Sequence, residues 1–419
     1  MASFLTWLVD TPAIRVLELF LAWFPVLFAF LAITASRQFF LDRQGIVTQR
    51  LEPTGADVEA AHERWPVLSV IIPAHDEEAT IDRTLRDVTA LAWPTLDVVV
   101  IDDGSTDGTA RIVDRWAATE PSIRVVHKAV NEGKASALDD ALDLIAGGLV
   151  LICDADAAIP PVTAVLLAAQ LEHHSDLAAV AANPRMLHTG TLLEKLQAVE
   201  FSATVSTQRR GHAAWGRIST LSGVCALFRT DVLRDTGGFD PVQPAEDIEI
   251  TWRLQCAGWR VGYEPRAVIG TVPARTMRAW FRQRRRWAAG LVRALQANGR
   301  SALRLRNAPT WPLLLEATAS IVWCHLLVLM TLLWVVCVVV GVDPSGNSPF
   351  IGAWGVFAVC VAIAQITWGM HLDRTDDPGI RALRPYIPLF PLFYWWLMAF
   401  TVVVTTIPTL VTPPRRVRW

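Results

Sequence analysis

The chain has 419 residues, 52% of them hydrophobic, and a mean hydropathy of +0.34, which is too apolar for an ordinary soluble enzyme. Its formal net charge of -2 gives no basic footprint, so nucleic acid is not expected as a partner. Six cysteines (Cys153, Cys225, Cys256, Cys324, Cys337, Cys360) show no C-x-x-C pair or other zinc spacing, and they fit a reduced compartment better than a disulfide framework.

The first apolar run, residues 19–35, is long enough to cross the hydrocarbon core, with Pro25 as an expected kink. The preceding "MASFLTWLVD" has no basic residue and contains Asp10, which argues for an anchor and against a cleaved signal peptide. From about residue 50 to 310 no comparable run occurs, so a water-soluble block is inserted between membrane segments.

Within that block, "VLSVIIP" (67–73), "LDVVVID" (96–102), "IRVVHK" (123–128) and "GLVLICD" (148–154) read as short Val- and Ile-rich strands. The stretches between them, "EEATIDRTLRDVTAL", "DGTARIVDRWAAT" and "GKASALDDALDLIA", have helical spacing. This alternation predicts an α/β domain with a mostly parallel sheet, whose ligands gather at the carboxyl ends of the strands. The residues at those ends are polar: His75, Asp76 and Glu77; Asp102 and Asp103; Asn131, Gly133 and Lys134; Asp154 and Asp156. Helix capping explains each singly, and four ends agreeing points to a site.

The run from Gly133 to Ser136 is not a P-loop, because Lys128 stands where the first glycine is required. In "DAD" the two carboxylates, Asp154 and Asp156, project the same way from an extended segment, a geometry suited to a hard divalent cation shared with phosphate oxygens. Further on, "RTMRAWFRQRRRWAAGLVRAL" (275–295) carries Trp280, Phe281, Trp287, Leu291 and Leu295 among arginines, as an interfacial amphipathic helix does.

Three more apolar runs follow, at 317–342, 350–370 and 386–411. Arg37, Arg43 and Arg50 after the first run, and Arg374, Arg381 and Arg384 between the third and fourth, place both loops in the cytosol; "DPSGNSP" after the second carries no positive charge. Four crossings would leave "PPRRVRW" outside, yet Arg415, Arg416 and Arg418 read as cytosolic. Either the last segment, with Pro388, Pro391 and Pro408, is re-entrant or the count of crossings is off.

The ordered stretches "SVIIPAHDEE", "VVVIDDGSTDGT", "NEGKASALDDAL", "LICDADA", "STLSGVCALFR", "PAEDIEITWRLQCAGWRVGYEP" and "FRQRRRWAAG" resemble family 2 inverting glycosyltransferases, whose nucleotide-sugar domain has the GT-A fold. The combination of "DDGS", "DAD", "ED" and Q-x-x-R-W is similar to the processive membrane synthases of hyaluronan, chitin oligosaccharide, cellulose and poly-β-1,6-N-acetylglucosamine, and most like the last.

The resemblance implies a GT-A domain inserted between transmembrane helices: an anchor (1–50), a cytosolic catalytic domain (51–274), interfacial helices with Q-x-x-R-W (275–312) and a C-terminal membrane region (313–419). It implies transfer of a sugar, N-acetylglucosamine by preference, from a UDP-sugar donor to a β-linked polysaccharide acceptor with inversion and export. Mg²⁺ or Mn²⁺ is the implied cofactor. The setting is a bacterial cytoplasmic membrane, crossed several times, with the lipid bilayer and a small membrane accessory subunit as further partners.

Carried over position by position, Glu77, Asp102 and Asp103 would hydrogen-bond the uridine, with His75 where many relatives have tyrosine. Lys134 would approach the diphosphate, Asp154 and Asp156 would hold the metal, and Asp247 would be the catalytic base. Gln283 and Arg286 would approach the diphosphate, and Trp287 would support the acceptor sugar. The rival for the basic run, Arg282 with Arg284 to Arg286, is contact with lipid head groups; the rival for Trp287 is a plain core residue. The rival functions are a transferase that moves one sugar to a polyprenyl phosphate, whose relatives generally lack Q-x-x-R-W, a hyaluronan-, chitin- or cellulose-type synthase with a different sugar, and an inactive membrane scaffold, which would be expected to have lost Asp247 or the D-x-D.

Overall fold

The computed structural model describes residues 2–47, 55–343 and 353–416. Seven strands form one sheet: β1 (Val67–Ala74), β2 (Thr95–Asp102), β3 (Ile123–His127), β4 (Leu149–Cys153), β5 (Leu177–Met186), β6 (Cys225–Arg229) and β7 (Arg260–Thr271). Their order is β3-β2-β1-β4-β6-β5-β7, and β6 alone runs antiparallel to its neighbours.

The central strands are apolar at nearly every position because both faces are covered. Val70, Ile72, Val98, Val100, Leu149 and Leu151 pack on one side. Ile71, Val99, Ile101, Val150 and Ile152 pack on the other, as the two-residue repeat of a strand requires. The helix Ile81–Thr89 buries Ile81, Leu85 and Val88 against the first of these layers, one helical face over two turns. The four strands read from sequence are β1 to β4. The other three escaped because β5 is alanine-rich and carries Pro184, β6 ("CALFR") has no β-branched residue, and β7 is interrupted by Gly262, Pro265 and Gly270.

Among the described residues, four helical segments are long and apolar enough to cross a membrane: Pro12–Leu41, Leu305–Val340, Gly355–Asp373 and Phe390–Val411. Helical residues continue on both sides of Pro25. The short helix Ala2–Val9 meets the far end of the second segment, where Leu5 packs with Cys337 and Val342. At the near end of that segment, Leu313 packs with Trp252 of the α/β block and with Ala302 at the end of the helix Met277–Ala302. The third segment returns to this block, since Asp373 is buried between Arg185 of β5 and Arg210.

The last segment behaves differently. Tyr394, at its start, accepts a hydrogen bond from Trp280 Nε1 at 2.7 Å, and the carbonyl of Thr412, just past its end, accepts one from Arg293 at 2.6 Å. Trp280 and Arg293 both belong to the helix Met277–Ala302, so the final helix lies along that helix and comes back to the catalytic block. Arg416 then pairs with Glu132 at 3.1 Å. Of the charges used in the sequence count, Arg50, residues 344–349, Arg418 and the side chain of Arg43 lie outside the described residues.

Two readings of the segment 275–295 need correction. Trp280 does not face lipid: it is 1% exposed, packed edge-on against Tyr394. Arg284 touches no head group either, because it is 2% exposed and paired with Glu200 at 2.6 Å, whereas Arg282, Arg285 and Arg286 are exposed.

Candidate active site

A cavity of about 320 Å³ opens at the carboxyl ends of β1 and β4. Glu77, Lys134, Asp154, Asp156, Asp247, Gln283, Arg286 and Trp287 all line it, although they come from well-separated stretches of the chain. His75, Asp102 and Asp103 do not line it.

These three form an adjoining network instead. The Asp103 carboxylate is fully buried and accepts from the backbone N–H groups of Glu132 and Gly133, at 3.0 and 2.6 Å. Asp102 accepts from Ser105 N–H at 3.0 Å and meets His127 Nδ1 at 2.8 Å. His75 hydrogen-bonds the Asp103 carbonyl through Nδ1 and Asn131 through Nε2. Asp103 and His75 thus clamp the turn that delivers Lys134, whose helix begins directly after Gly133 at φ 95°, while Asp102 holds the Ser105 turn and His127. Asp76 is held at φ 55° by its bonds to Ser105 and Thr106, a conformation rare outside glycine and common beside functional sites.

Lys134 is the hub. Its ammonium stands 2.6 Å from Asp154 and 2.7 Å from Glu246 and donates to the Gly223 carbonyl at 2.9 Å. Burial by itself would lower its pKa; the two carboxylates more than reverse this, so it stays charged. The segment behind β4 is fixed from below, because Thr84 Oγ1 donates to the carbonyls of Ala155 and Ala157 and Arg83 donates to that of Asp156. Burial pushes the Asp154 pKa up to about 6, with Lys134 opposing and Asp156 adding like charge. Burial, then the nearby Glu77 charge, raises Asp156 as well. Burial and repulsion from Asp154 raise Glu77.

Asp247 sits in the first turn of the helix Glu246–Cys256 and accepts from Gly223 N–H at 3.1 Å and Thr220 Oγ1 at 3.3 Å. Burial raises its pKa, Glu246 adds to the rise, and Lys134, Arg286 and Arg209 hold it back. A side chain at Gly223 would come within 3.2 Å of the Asp247 carboxylate, so the close approach of this loop calls for glycine. On the membrane side, Arg284 lies 4.1 Å over the Trp287 ring and fixes its plane beside Phe201.

The family model described as "Glycosyltransferase like family 2" matches residues 66–290. The chain belongs to this family. The family 2 glycosyltransferase is 26% identical over 388 residues to a poly-beta-1,6-N-acetyl-D-glucosamine synthase of Staphylococcus epidermidis, covering 92% of each chain. The synthase of the same name from Staphylococcus aureus is 26% identical over 387 residues, again with 92% of each covered. Among solved structures, a mannosyltransferase from Pyrobaculum calidifontis, in complex with GDP-Man and Mn²⁺, aligns with a TM-score of 0.61 at 22% identity over 91% of this chain and 99% of its own. That likeness establishes the GT-A architecture.

In this family 2 glycosyltransferase several cavity residues had no sequence signal. Thr220, Gly223 and Arg209 surround Asp247, and Arg284 and Glu200 support Trp287. The motif "STLSGV" marks the first two by position only. Arg209 sits in a helix, "TQRRGHAA", with no motif character at all. The same helical stretch separates the cavity from a second one of about 240 Å³, lined by Phe24, Trp323, Gln365 and Trp395 between the apolar helices. Gln197, Phe201, Val205 and Arg209 face the first cavity; Glu200, Thr204 and Gln208 face the second.

Proposed function

We propose that the protein is a membrane polysaccharide synthase that moves N-acetylglucosamine from a UDP-sugar to a growing β-linked polymer, with inversion and export. One observation carries the reading: Lys134, Asp154, Asp156, Asp247, Gln283, Arg286 and Trp287 line a single cavity beside apolar, membrane-length helices. The name of the Staphylococcus relatives, matched along 92% of both chains, supports the sugar and the polymer.

Asp154 and Asp156 fit a hard divalent cation, Mg²⁺ or Mn²⁺, because two desolvated carboxylates with raised pKa values face one cavity and repel each other. Among the described residues no group of three or more His, Cys, Asp or Glu could hold a metal alone, so the donor's phosphates and water would complete the shell. When bound, such a cation supplies Lewis-acid stabilisation of the leaving diphosphate.

Lys134 and Arg286 hold the diphosphate by charge from fixed positions, and Gln283 donates to it. Glu77, within the cavity, and His75, Asp102 and Asp103, through the loops they hold, shape the uridine end. Asp247 takes the proton of the acceptor hydroxyl as it attacks from the face opposite UDP, so an α-linked donor gives a β-linked product. Trp287 offers its flat face to the acceptor ring. The second, tryptophan-lined cavity leads the product into the membrane region. The domain limits expected from sequence (1–50, 51–274, 275–312 and 313–419) serve this division of labour, with the catalytic block in the cytosol of a bacterial cell.

Purified protein in proteoliposomes, given a panel of UDP-sugars, tests this by UDP release and product length. UDP-N-acetylglucosamine should yield UDP and a polymer. A lipid carrying a single sugar would overturn the reading. Asp247→Asn should lower turnover about 10²- to 10⁴-fold, and UDP release at the normal rate by that variant would remove Asp247 as the base.

A further inference from the structure

Four arginines are buried among the described residues: Arg185, Arg209, Arg210 and Arg284. Arg185 and Arg210 share Asp373, and Arg284 holds Glu200. Arg209 has no carboxylate within ion-pair distance among the described residues. It donates only to two backbone carbonyls, Thr220 at 3.3 Å and Leu221 at 2.9 Å, and its Nη1 has no partner. A guanidinium taken out of water without a direct ion-pair partner is costly, and Asp247 compensates it only through longer-range attraction. Burial accordingly pulls its pKa below the ordinary arginine range.

Its position gives the partner's chemistry. Arg209 lines the same cavity as Asp247, close enough for its charge to act on that carboxylate, and it forms no bond to Lys134, Asp154 or Asp156. It grips Thr220, whose hydroxyl donates to Asp247. A group bound beside the base belongs to the acceptor, whose hydroxyl must reach Asp247. A fork-shaped donor in a desolvated wall prefers a strong oxygen acceptor, a carbonyl or carboxylate, over a hydroxyl.

We propose that Arg209 is an acceptor-specificity residue, donating to a carbonyl-type oxygen on the terminal acceptor sugar: the amide carbonyl of an N-acyl hexosamine or the carboxylate of a uronic acid. The proposal rests on the polysaccharide-synthase reading above, in which the acceptor hydroxyl meets Asp247.

The test measures acceptor KM and donor KM separately, using β-linked oligosaccharide acceptors that differ at one substituent: N-acetylglucosamine, glucose and glucuronate. The wild-type enzyme should favour one carbonyl-bearing acceptor over the glucose acceptor by about tenfold or more, the usual worth of a hydrogen bond to a charged group. The identity of the favoured one separates the amide from the carboxylate. Arg209→Gln should lose that preference and leave the donor KM unchanged. Arg209→Lys, which keeps the charge without the fork, should retain part of it and guards against a Gln variant that does not fold.

If the wild type shows no preference, or if the Gln and Lys variants keep it, Arg209 only braces the Thr220 loop. A fall in kcat with unaltered acceptor preference likewise reduces Arg209 to a brace. Failure of the wild type to transfer to any sugar acceptor counts against the polysaccharide reading as well, and UDP release without acceptor tells the two failures apart.

Discussion

Asp247 illustrates how a residue's chemistry is set by its neighbours. An ordinary aspartate titrates near 4, too acidic to take a proton efficiently at neutral pH. Here burial and Glu246 raise its pKa, while Lys134, Arg286 and Arg209 limit the rise. A base works only when ionised, so kcat/KM should fall as pH drops through this raised value, and the acid limb should lie above the ordinary aspartate range. Glu246→Gln removes a like charge and leaves Lys134 less neutralised; both effects lower the Asp247 pKa. The acid limb of the pH–rate profile should therefore move to lower pH. A limb that stays put or moves up would count against Asp247 as the titrating group. At this scale most of the residues marked by sequence motifs, from Glu77 to Trp287, meet in one cavity, while His75, Asp102 and Asp103 stand one layer back, bonded to neighbouring loops and strand ends. The motif carries residue identity but cannot tell a carboxylate aimed at a ligand from one aimed at a neighbouring backbone.

At the scale of elements, the contact that joins the catalytic block to the helix Met277–Ala302 is unusually close. A Cβ placed on Gly290 would lie 2.3 Å from the Cβ of Ala245, the residue just before Glu246 and Asp247. Gly290→Ala should force this helix away, carrying Gln283, Arg286 and Trp287 with it. The expected cost is about 1–3 kcal/mol of stability, as in other overpacked interfaces, together with reduced UDP release. Ala245→Gly should restore part of both in the double variant, and thermal unfolding in detergent with a UDP assay reads the pair. Wild-type behaviour of the single variant would show that the helix position is not coupled to the base. The first four strands and their helices were legible from periodicity, because both faces of the central strands are covered and nearly every position is apolar. Strands β5 to β7 were not, since their alanines, prolines and glycines carry weak strand signals and only pairing with β4 and each other makes them strands.

Across the whole molecule, the path of the final helix decides the side of the tail. Both of its ends hold the helix Met277–Ala302, and the following Arg416 pairs with Glu132 of the catalytic block. A re-entrant last segment, the reading this path favours over a fourth crossing, predicts tail arginines on the side of the catalytic domain and the N-terminus on the opposite face. Single cysteines at Ser3 and Thr412, introduced into a cysteine-free background in intact cells, should give labelling by an impermeant maleimide at Ser3→Cys and protection at Thr412→Cys. Labelling of both would make the last segment a true crossing. The sequence by itself determined the apolar segments, the α/β alternation and the ordered carboxylates of a glycosyltransferase, since these depend on local composition, periodicity and motif. Only the tertiary structure decided which of those carboxylates share a cavity, that Arg284 is buried in an ion pair while Arg209 is buried with none, and that the last helix folds back. Such facts depend on which distant segments pack together, and an apolar helix satisfies the same hydropathy whether it faces lipid or another helix.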